Sequence, residues 1–358
     1  MTGIERTANF LKRKPIDRIP VFEHFWGDTK DRYVAEGFMR DDEPNFEHFN
    51  FDMATRWPFN FVIDMDFERQ VIEENEDTIL YLDGNGAKLR RHKHHDTTPE
   101  HVDFTIKGPE QWAAAKEKLL SDKERRINFE EYRLAKEQAR AGDRFFFWSG
   151  INVFECVHPI CGHEEMLVGM ALEPDWIHDM YDTYAKLNVE LQEILFAKEG
   201  YPDGIWYYED MGFKERPFIS PEMYKELVEP YHTYTIDFAK SKNMPVVMHC
   251  CGFAEPLIPG FLRAGIDCLQ AIEVKAGMDL VRIYKNFGDN LSLMGGLDIR
   301  EVCTNDKARI DKELESKIPI VMQKYGYALH SDHSIPRDVN YDTLQYFFQR
   351  GIEIGTYK

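Results

Sequence analysis

Short apolar runs that alternate with amphipathic helical segments restrict the fold of this chain more than any other feature. Strand followed by helix, repeated many times, predicts a parallel sheet with helices packed on it. Eight runs in 358 residues, without a Gly-x-Gly-x-x-Gly fingerprint, favour a (β/α)8 TIM barrel over an open doubly wound sheet. We therefore expect a single barrel domain over residues 1–358. The runs are residues 19–22, 145–148, 204–208, 245–248, 268–272, 291–294, 327–329 and 352–354.

The long interval between the first two runs predicts an inserted piece within residues 50–110. Residues 61–64 and 81–90 alternate apolar and polar side chains, and residues 83–86 have the turn sequence Asp-Gly-Asn-Gly. This pattern predicts antiparallel strands, which we expect to form a lid over the barrel mouth. Residues 90–95 form a cationic cluster, for which a solvated hairpin edge is a simpler explanation than an anion-binding role.

The composition excludes several classes of partner. A formal net charge of -19 leaves no broad basic face, so neither nucleic acid nor an anionic membrane is an expected partner. The polar start and the lack of a bilayer-length apolar run predict a cytoplasmic protein. Six unevenly placed cysteines are too few for a disulfide framework, which agrees with a reducing compartment.

Polar side chains follow most of the apolar runs. Catalytic groups of a parallel barrel lie at the carboxyl ends of its strands, so these side chains are the candidates for chemistry. Aromatic residues also cluster beside the strand ends, as in a pocket for a flat or apolar ligand. We expect Glu23, His24, Trp26, Glu155 and Tyr208 to contact a substrate. Asp298, Glu209 and Asp210 are candidates for proton delivery or for hydrogen bonds to metal-binding histidines.

A His-x-Cys pair at the end of the fourth run indicates a metal site. Residues i and i+2 of a strand point to the same side, so His249 and Cys251 can converge on one ion while Cys250 points away. Zinc accepts imidazole nitrogen and thiolate sulfur together. Glu273 and His333 follow two further runs and complete the predicted set. Ligands from separate elements are typical of catalytic zinc, and the alternative is a set of ordinary buried strand-end residues.

A second cluster of possible ligands lies within residues 156–163. It contains Cys156, His158, Cys161 and His163. Because no distant pair matches them, we expect this segment to begin a helix rather than to bind a metal.

From about residue 5 to its end the chain resembles the uroporphyrinogen decarboxylase superfamily, in particular its corrinoid-dependent methyltransferase branch. This branch includes methylcobalamin:coenzyme M methyltransferases and O-demethylase components. The segments that carry the resemblance are residues 203–210, 219–224, 247–252, 264–267, 294–298 and 333–339. The resemblance implies a uroporphyrinogen-decarboxylase-like barrel and methyl transfer to or from the cobalt of a corrinoid (cobalamin) carried by a partner protein.

Similarity to the zinc site of cobalamin-independent methionine synthase implies His249, Cys251 and Glu273 as ligands. His333 occupies the place where this branch commonly has a distal Cys, and Asp332 is the alternative fourth ligand. Residues 22–28 replace the Arg-rich stretch by which true uroporphyrinogen decarboxylases grip their substrate. Decarboxylation of a tetrapyrrole is therefore disfavoured.

The leading hypothesis is a zinc-dependent methyltransferase. Coordination to zinc favours the thiolate form of a thiol substrate and makes an ether oxygen a better leaving group. We favour the demethylation direction, with a methoxylated compound as donor, over transfer to a thiol. Two alternatives remain open: a metal-independent decarboxylase that uses Arg90 and Arg91, and a non-catalytic binding or regulatory barrel.

Overall fold

A seven-stranded parallel sheet forms the centre of the computed structural model, which describes residues 1–94 and 98–358. Its strands follow one another in chain order, apart from an antiparallel sheet inserted after the first. Parallel strands joined by helices bring all their carboxyl ends to one edge. The strands are Met53–Arg56 (β1), Phe145–Ile151 (β6), Gly204–Tyr208 (β7), Val246–Cys250 (β8), Cys268–Ala271 (β9), Ser292–Met294 (β10) and Tyr327–Ala328 (β11).

The strands of this sheet are buried on both faces. In β6, six of the seven residues are buried, including Phe145, Phe147 and Trp148. Continuous apolar runs of this kind are typical of parallel strands covered by helices. The register of β7, β8 and β9 places His249 beside Tyr208 on one side and beside Gln270 on the other. The central candidate ligand is therefore fixed by the sheet itself.

Residues 19–22 contact both edges of the sheet. Leu329 N–H donates to Pro20 O at 2.8 Å, and Asp52 N–H, just before β1, donates to Val21 O at 3.0 Å. Val21 and Leu329 form one parallel bridge. The predicted α/β class and parallel sheet are confirmed in this form, as a curled sheet of seven strands.

In the parallel sheet, one predicted strand is helical and one strand was not predicted. Residues 352–354 lie in helix Tyr341–Ile354, where Ile352 packs against the core and Glu353 is exposed. Their Ile-Glu-Ile alternation is too short to distinguish a strand from the end of an amphipathic helix. Met53–Arg56 is a strand of the parallel sheet, although the sequence predicts that it belongs to the insertion. Its four residues contain no apolar run that would identify a strand.

The insertion forms a four-stranded antiparallel sheet, in the order β2-β3-β4-β5. Residues 61–64 are not a strand, so the predicted hairpin begins later in the chain. Arg90 pairs with Glu100 at 3.0 Å and Lys93 with Glu74 at 2.8 Å. Arg90 lies on an inner strand of this sheet, not on the expected edge, and His95 lies outside the described residues. The strands are Gln70–Glu74 (β2), Thr78–Leu82 (β3), Ala87–His92 (β4) and Glu100–Phe104 (β5).

Helices cover the parallel sheet and precede or follow its strands. Across the described ranges, none of them is both long and apolar enough to cross a membrane. They are Gly3–Phe10 (α1), Gly27–Ala35 (α2), Asn45–His48 (α3), Pro109–Leu119 (α4), Phe129–Ala141 (α5), Val153–Leu172 (α6), Pro174–Glu199 (α7), Pro221–Met223 (α8, continued by a π-helical turn Tyr224–Val228), Glu229–Ser241 (α9), Ile258–Ala264 (α10), Leu280–Phe287 (α11), Ile299–Cys303 (α12), Lys307–Val321 (α13) and Tyr341–Ile354 (α14).

Candidate metal centre

Three potential metal ligands converge where β7 and β8 end. Asp210, His249 and Cys251 each offer one ligand atom, and these atoms lie within 4.8 Å of one another. His249 Nε2 is 3.1 Å from Cys251 Sγ and 3.4 Å from Asp210 Oδ1. Cys250 is buried on the opposite side, where its sulfur accepts the N–H of Met211 at 3.4 Å. Because alternate residues of a strand point to the same side, His249 and Cys251 form a pair of potential ligands at the end of β8. Asp210, which follows β7, adds a carboxylate.

Gln270 fixes the orientation of the His249 ring. A short hydrogen bond joins His249 Nδ1 to the amide oxygen of Gln270. Because an amide oxygen only accepts, Nδ1 carries the ring proton and Nε2 keeps its lone pair toward Cys251 and Asp210. Histidines that bind metals usually donate their other ring N–H in this way.

The other predicted ligands lie beside this group but outside it. Glu273 Oε2 accepts the N–H of Gly252 at 2.7 Å, and its other oxygen is 3.5 Å from Lys275 Nζ. The His333 ring lies 5.9 Å from that of Trp26. Both oxygens of Asp332 accept backbone N–H groups, from Val274 and Ile299, each at 2.8 Å. Asp332 therefore caps backbone amides, which leaves it poorly placed for an ion.

Two cavities meet at the converging ligands, and both have Asp210 and Cys251 in their walls. The larger cavity has a volume of about 570 Å³, and the smaller one about 220 Å³. Further residues of the larger cavity are Glu155, His158, His163, Phe213, Phe218, Glu273 and Lys275. Further residues of the smaller cavity are His24, Trp26, Tyr208, His249, Gln270, His330 and His333. Of the residues expected to contact a substrate, four line one of these cavities, and Glu23 is buried behind them.

Acidic side chains accumulate around the three ligands. Glu155 accepts the N–H of Asp210 at 3.4 Å, and Glu273 lies on the far side of Cys251 in the same wall. Burial, with the charges of Asp210 and Glu273, raises the pKa of the Cys251 thiol well above its ordinary value. Among the residues described here, Lys275 and Lys214 are the cations in the walls of the two cavities. The donor set of carboxylate, imidazole and thiol, in an acidic pocket, fits a divalent ion such as zinc.

A chain of hydrogen bonds runs from the smaller cavity into the protein. Tyr208 OH is 2.8 Å from His24 Nε2, and His24 Nδ1 is 2.9 Å from His330 Nε2. His330 Nδ1 lies 2.5 Å from the carbonyl oxygen of Ser331, so Nδ1 carries the proton and Nε2 accepts. Burial lowers the pKa of His330 to about 3 and also lowers that of His24, so both rings are neutral. The chain therefore holds Tyr208 and His24 in fixed orientations.

The buried Glu23 carboxyl should give protein stability a distinct pH dependence. Burial raises the pKa of Glu23 to about 8 from an ordinary 4.5, and Glu23 Oε1 is 3.1 Å from the accepting nitrogen of His330. Between these two pKa values the folded state holds a proton that the unfolded state lacks. The contribution of Glu23 to the free energy of unfolding is therefore complete below pH 4.5 and falls by up to about 1.4 kcal/mol per pH unit until pH 8.

Urea unfolding of wild type and Glu23→Gln across this range measures the effect. The glutamine cannot ionise, so the difference in unfolding free energy should change steadily with pH in favour of the variant. Parallel pH profiles would show that Glu23 does not titrate in this window.

Glu209 and Asp298 lie outside the walls of both cavities. Glu209 is fully buried and accepts the N–H groups of Phe154 and Glu155 at the start of α6. Asp298 caps α12, where it accepts the N–H of Arg300 at 2.9 Å and pairs with its guanidinium. Their positions fit structural roles better than the expected proton delivery. Asp210, the third carboxylate of that expectation, lies instead among the metal ligands.

Gln270 and His330 line the smaller cavity but are not predicted from the sequence. Both are fully buried polar residues, one inside strand β9 and the other two residues after β11. The available signal was a polar side chain within an apolar run, at a position that alternation directs to the inner face of the curled sheet.

Gln270 should control metal affinity without binding the ion. Replacing it with alanine leaves His249 Nδ1 without its acceptor, and loss of such a partner typically weakens metal binding about 10–100-fold. Gln270→Glu keeps an acceptor oxygen and should retain most of the affinity. Zinc titration by calorimetry checks this, with exposed Gln138→Ala as control. Equal affinities of Gln270→Ala and Gln138→Ala would contradict the role.

Comparisons with known proteins agree with this architecture. A methyltransferase from Methanosarcina mazei superposes with a TM-score of 0.70 and 14% sequence identity, covering 99% of this chain and 99% of that chain, and therefore shares the fold. A Xaa-Pro dipeptidase with bound methionine has a TM-score of only 0.31 and 16% identity, over 63% of this chain and 58% of its own. No curated protein matches the sequence. The family model described as uroporphyrinogen decarboxylase (URO-D) matches residues 158–353, more than half of the chain. The chain belongs to the uroporphyrinogen decarboxylase family.

Proposed function

We propose that this protein is a zinc-dependent methyltransferase that moves a methyl group between a small substrate and the cobalt of a separate corrinoid protein. One observation carries the proposal: Asp210, His249 and Cys251 bring three ligand atoms within 4.8 Å of one another, between two cavities. The family and the fold shared with a methyltransferase support methyl transfer over other chemistry.

Asp210, His249 and Cys251 would hold the zinc ion. Glu273 lines the larger cavity beside Cys251, and His333 lines the smaller one, so each is a candidate for a further ligand. When bound, zinc supplies Lewis acidity that stabilises the thiolate of a substrate or polarises an ether oxygen. Two anionic ligands, Asp210 and Cys251, neutralise the ion and preserve this acidity.

The smaller cavity is the proposed substrate site. Its volume of about 220 Å³ has room for one small molecule, and Trp26 and Tyr208 give it aromatic walls. A methoxylated aromatic compound fits these walls better than a charged substrate, so we propose the demethylation direction. The oxygen that loses the methyl group would take its proton from solvent, because the His24 nitrogen that faces Tyr208 accepts a hydrogen bond and carries no proton. The larger cavity is left for the approach of the corrinoid protein.

We also propose that the barrel is closed and that the inserted antiparallel sheet is its lid. Residues 19–22 would be the eighth strand of a closed (β/α)8 barrel, since they bond to both edges of the sheet. Because β1 belongs to the barrel, the lid within residues 50–110 would be the antiparallel sheet β2–β5. One domain would then comprise residues 1–358.

A reconstituted assay tests the function. Zinc-loaded protein, a corrinoid protein with reduced cobalt and a panel of methoxylated aromatic compounds are mixed, and cobalt methylation is followed by absorbance. We expect methylation that depends on zinc, on the donor and on the corrinoid protein together. Full turnover after chelation, or release of carbon dioxide from a carboxylated substrate instead, would favour the metal-independent decarboxylase.

The structure gives that alternative little support. Within the described residues, no arginine lines either cavity. Arg90 already pairs with Glu100 and lies near Glu73. The cations in the walls of the larger cavity are two lysines, Lys214 and Lys275, and Lys275 lies 3.5 Å from Glu273.

A further inference from the structure

Three histidines outside the proposed catalytic centre form a second cluster of potential ligands. His101 on β5 and His158 and His163 on α6 each offer a nitrogen, and these atoms lie within 4.8 Å of one another. The sequence analysis had expected no metal near His158 and His163, because no distant partner was visible. The inserted antiparallel sheet supplies that partner, whereas Cys156 and Cys161 are buried elsewhere in α6.

A break in α6 brings His158 and His163 together. In a regular helix, residues five apart point about 140° away from each other. Gly162 interrupts the helix with φ of 81°, a conformation that favours glycine, and a side chain there would collide with Phe104 of β5. The two rings consequently stack with centroids 4.2 Å apart.

The hydrogen bonds of His158 leave one nitrogen for an ion. His158 Nε2 lies 2.9 Å from Glu155 Oε1, the arrangement by which carboxylates orient metal-binding histidines. His158 Nδ1 is buried and has no hydrogen-bond partner. A buried polar atom without a partner is unusual and calls for a ligand.

The cluster is accessible from two sides. His158 and His163 line the larger cavity, and His101 and His163 line a neighbouring cavity of about 390 Å³. Nitrogens bound to a tetrahedral ion at about 2.1 Å are about 3.4 Å apart. Because the rings of His158 and His163 are nearly parallel, at 19°, one of them must turn about its Cβ–Cγ bond to bind.

We propose that His101, His158 and His163 form a second site for a divalent transition-metal ion, which links the antiparallel sheet to α6. Three imidazoles without a thiolate suit Zn²⁺, Co²⁺ or Ni²⁺ and disfavour Mg²⁺ or Ca²⁺. This site shares the larger cavity with the ion proposed for methyl transfer but uses none of its ligands.

Cobalt binding to the full chain tests the proposal. The variant His249→Ala/Cys251→Ala lacks the first site, and after chelation it should still bind one equivalent of Co²⁺ by calorimetry and elemental analysis. In that background His163→Gln or His101→Gln should weaken binding at least about tenfold, whereas His178→Gln on α7 should leave it unchanged. Circular dichroism of the metal-free variants confirms that they fold.

Hydrogen exchange provides a second readout. Added Co²⁺ should slow amide exchange in β5 and α6 of the parent variant but not in His101→Gln. No Co²⁺ binding by the His249→Ala/Cys251→Ala protein, or binding that His101→Gln and His163→Gln leave unchanged, would overturn the second site without bearing on methyl transfer.

Discussion

Replacing Cys251 with alanine should remove the metal of the first site and reduce methyl transfer to background. The thiolate is one of the two proposed anionic ligands, and Sγ lies 3.1 Å from Nε2 of His249. A zinc site of four ligands is worth ~10–16 kcal/mol, so loss of one ligand weakens binding by about 10²–10³-fold. Elemental analysis after gel filtration and the cobalt absorbance assay measure the two effects.

The adjacent cysteine is a matched control. Cys250 is also buried, but its sulfur accepts the N–H of Met211 on the other side of β8. Cys250→Ala should keep the metal of the first site and most of the activity, with a small loss of stability. Equal metal content and activity in Cys251→Ala and Cys250→Ala would remove the metal-dependent mechanism.

The same measurements decide which carboxylate binds the ion. Sequence resemblance implies Glu273, whereas the structure brings Asp210 to 3.4 Å from His249 Nε2. Glu273 is held by the N–H of Gly252 and by Lys275. We therefore expect Asp210→Asn to lose more metal than Glu273→Gln, and the reverse order would assign the ligand to Glu273.

Whether a strand of this fold could be predicted from the sequence depends on how many of its residues are buried. Strands such as β6 and β8 carry continuous apolar runs because both faces of the parallel sheet are buried, and the sequence shows these runs directly. Met53–Arg56 has two buried and two half-buried residues and no such run, so only its pairing with Phe145–Ile151 identifies it. The candidate site likewise contains residues that a local pattern identifies and residues that only distant contacts identify. His249 and Cys251 are two residues apart, and local geometry predicts that they converge.

Contacts between distant residues were not predictable in this way. Gln270 reaches His249 through the register of β8 and β9, and His101 reaches α6 through a sheet inserted before it. Neither relation leaves a local pattern in a single sequence. Glu209 lies at a strand end as expected, and a carboxylate there can support the scaffold as readily as it can perform chemistry.

The scaffold role of Glu209 predicts a large loss of stability in Glu209→Ala. Glu209 is 0% exposed, and its oxygens accept N–H groups of Phe154 at 3.1 Å and Glu155 at 2.8 Å. His232 Nε2 of α9 lies 2.7 Å from the same carboxylate. Alanine leaves these buried donors without an acceptor, which should lower the free energy of unfolding by about 3–5 kcal/mol.

Graded substitutions separate this role from catalysis. Glu209→Gln keeps one acceptor oxygen near the start of α6, so it should lose less stability than alanine, about 1–3 kcal/mol. Glu137→Ala, on the exposed face of α5, should stay within about 0.5 kcal/mol of wild type. Urea unfolding at neutral pH gives all three values. If Glu209→Ala unfolds at the wild-type urea concentration but loses methyl transfer, the carboxylate acts in the chemistry, and the scaffold assignment is wrong.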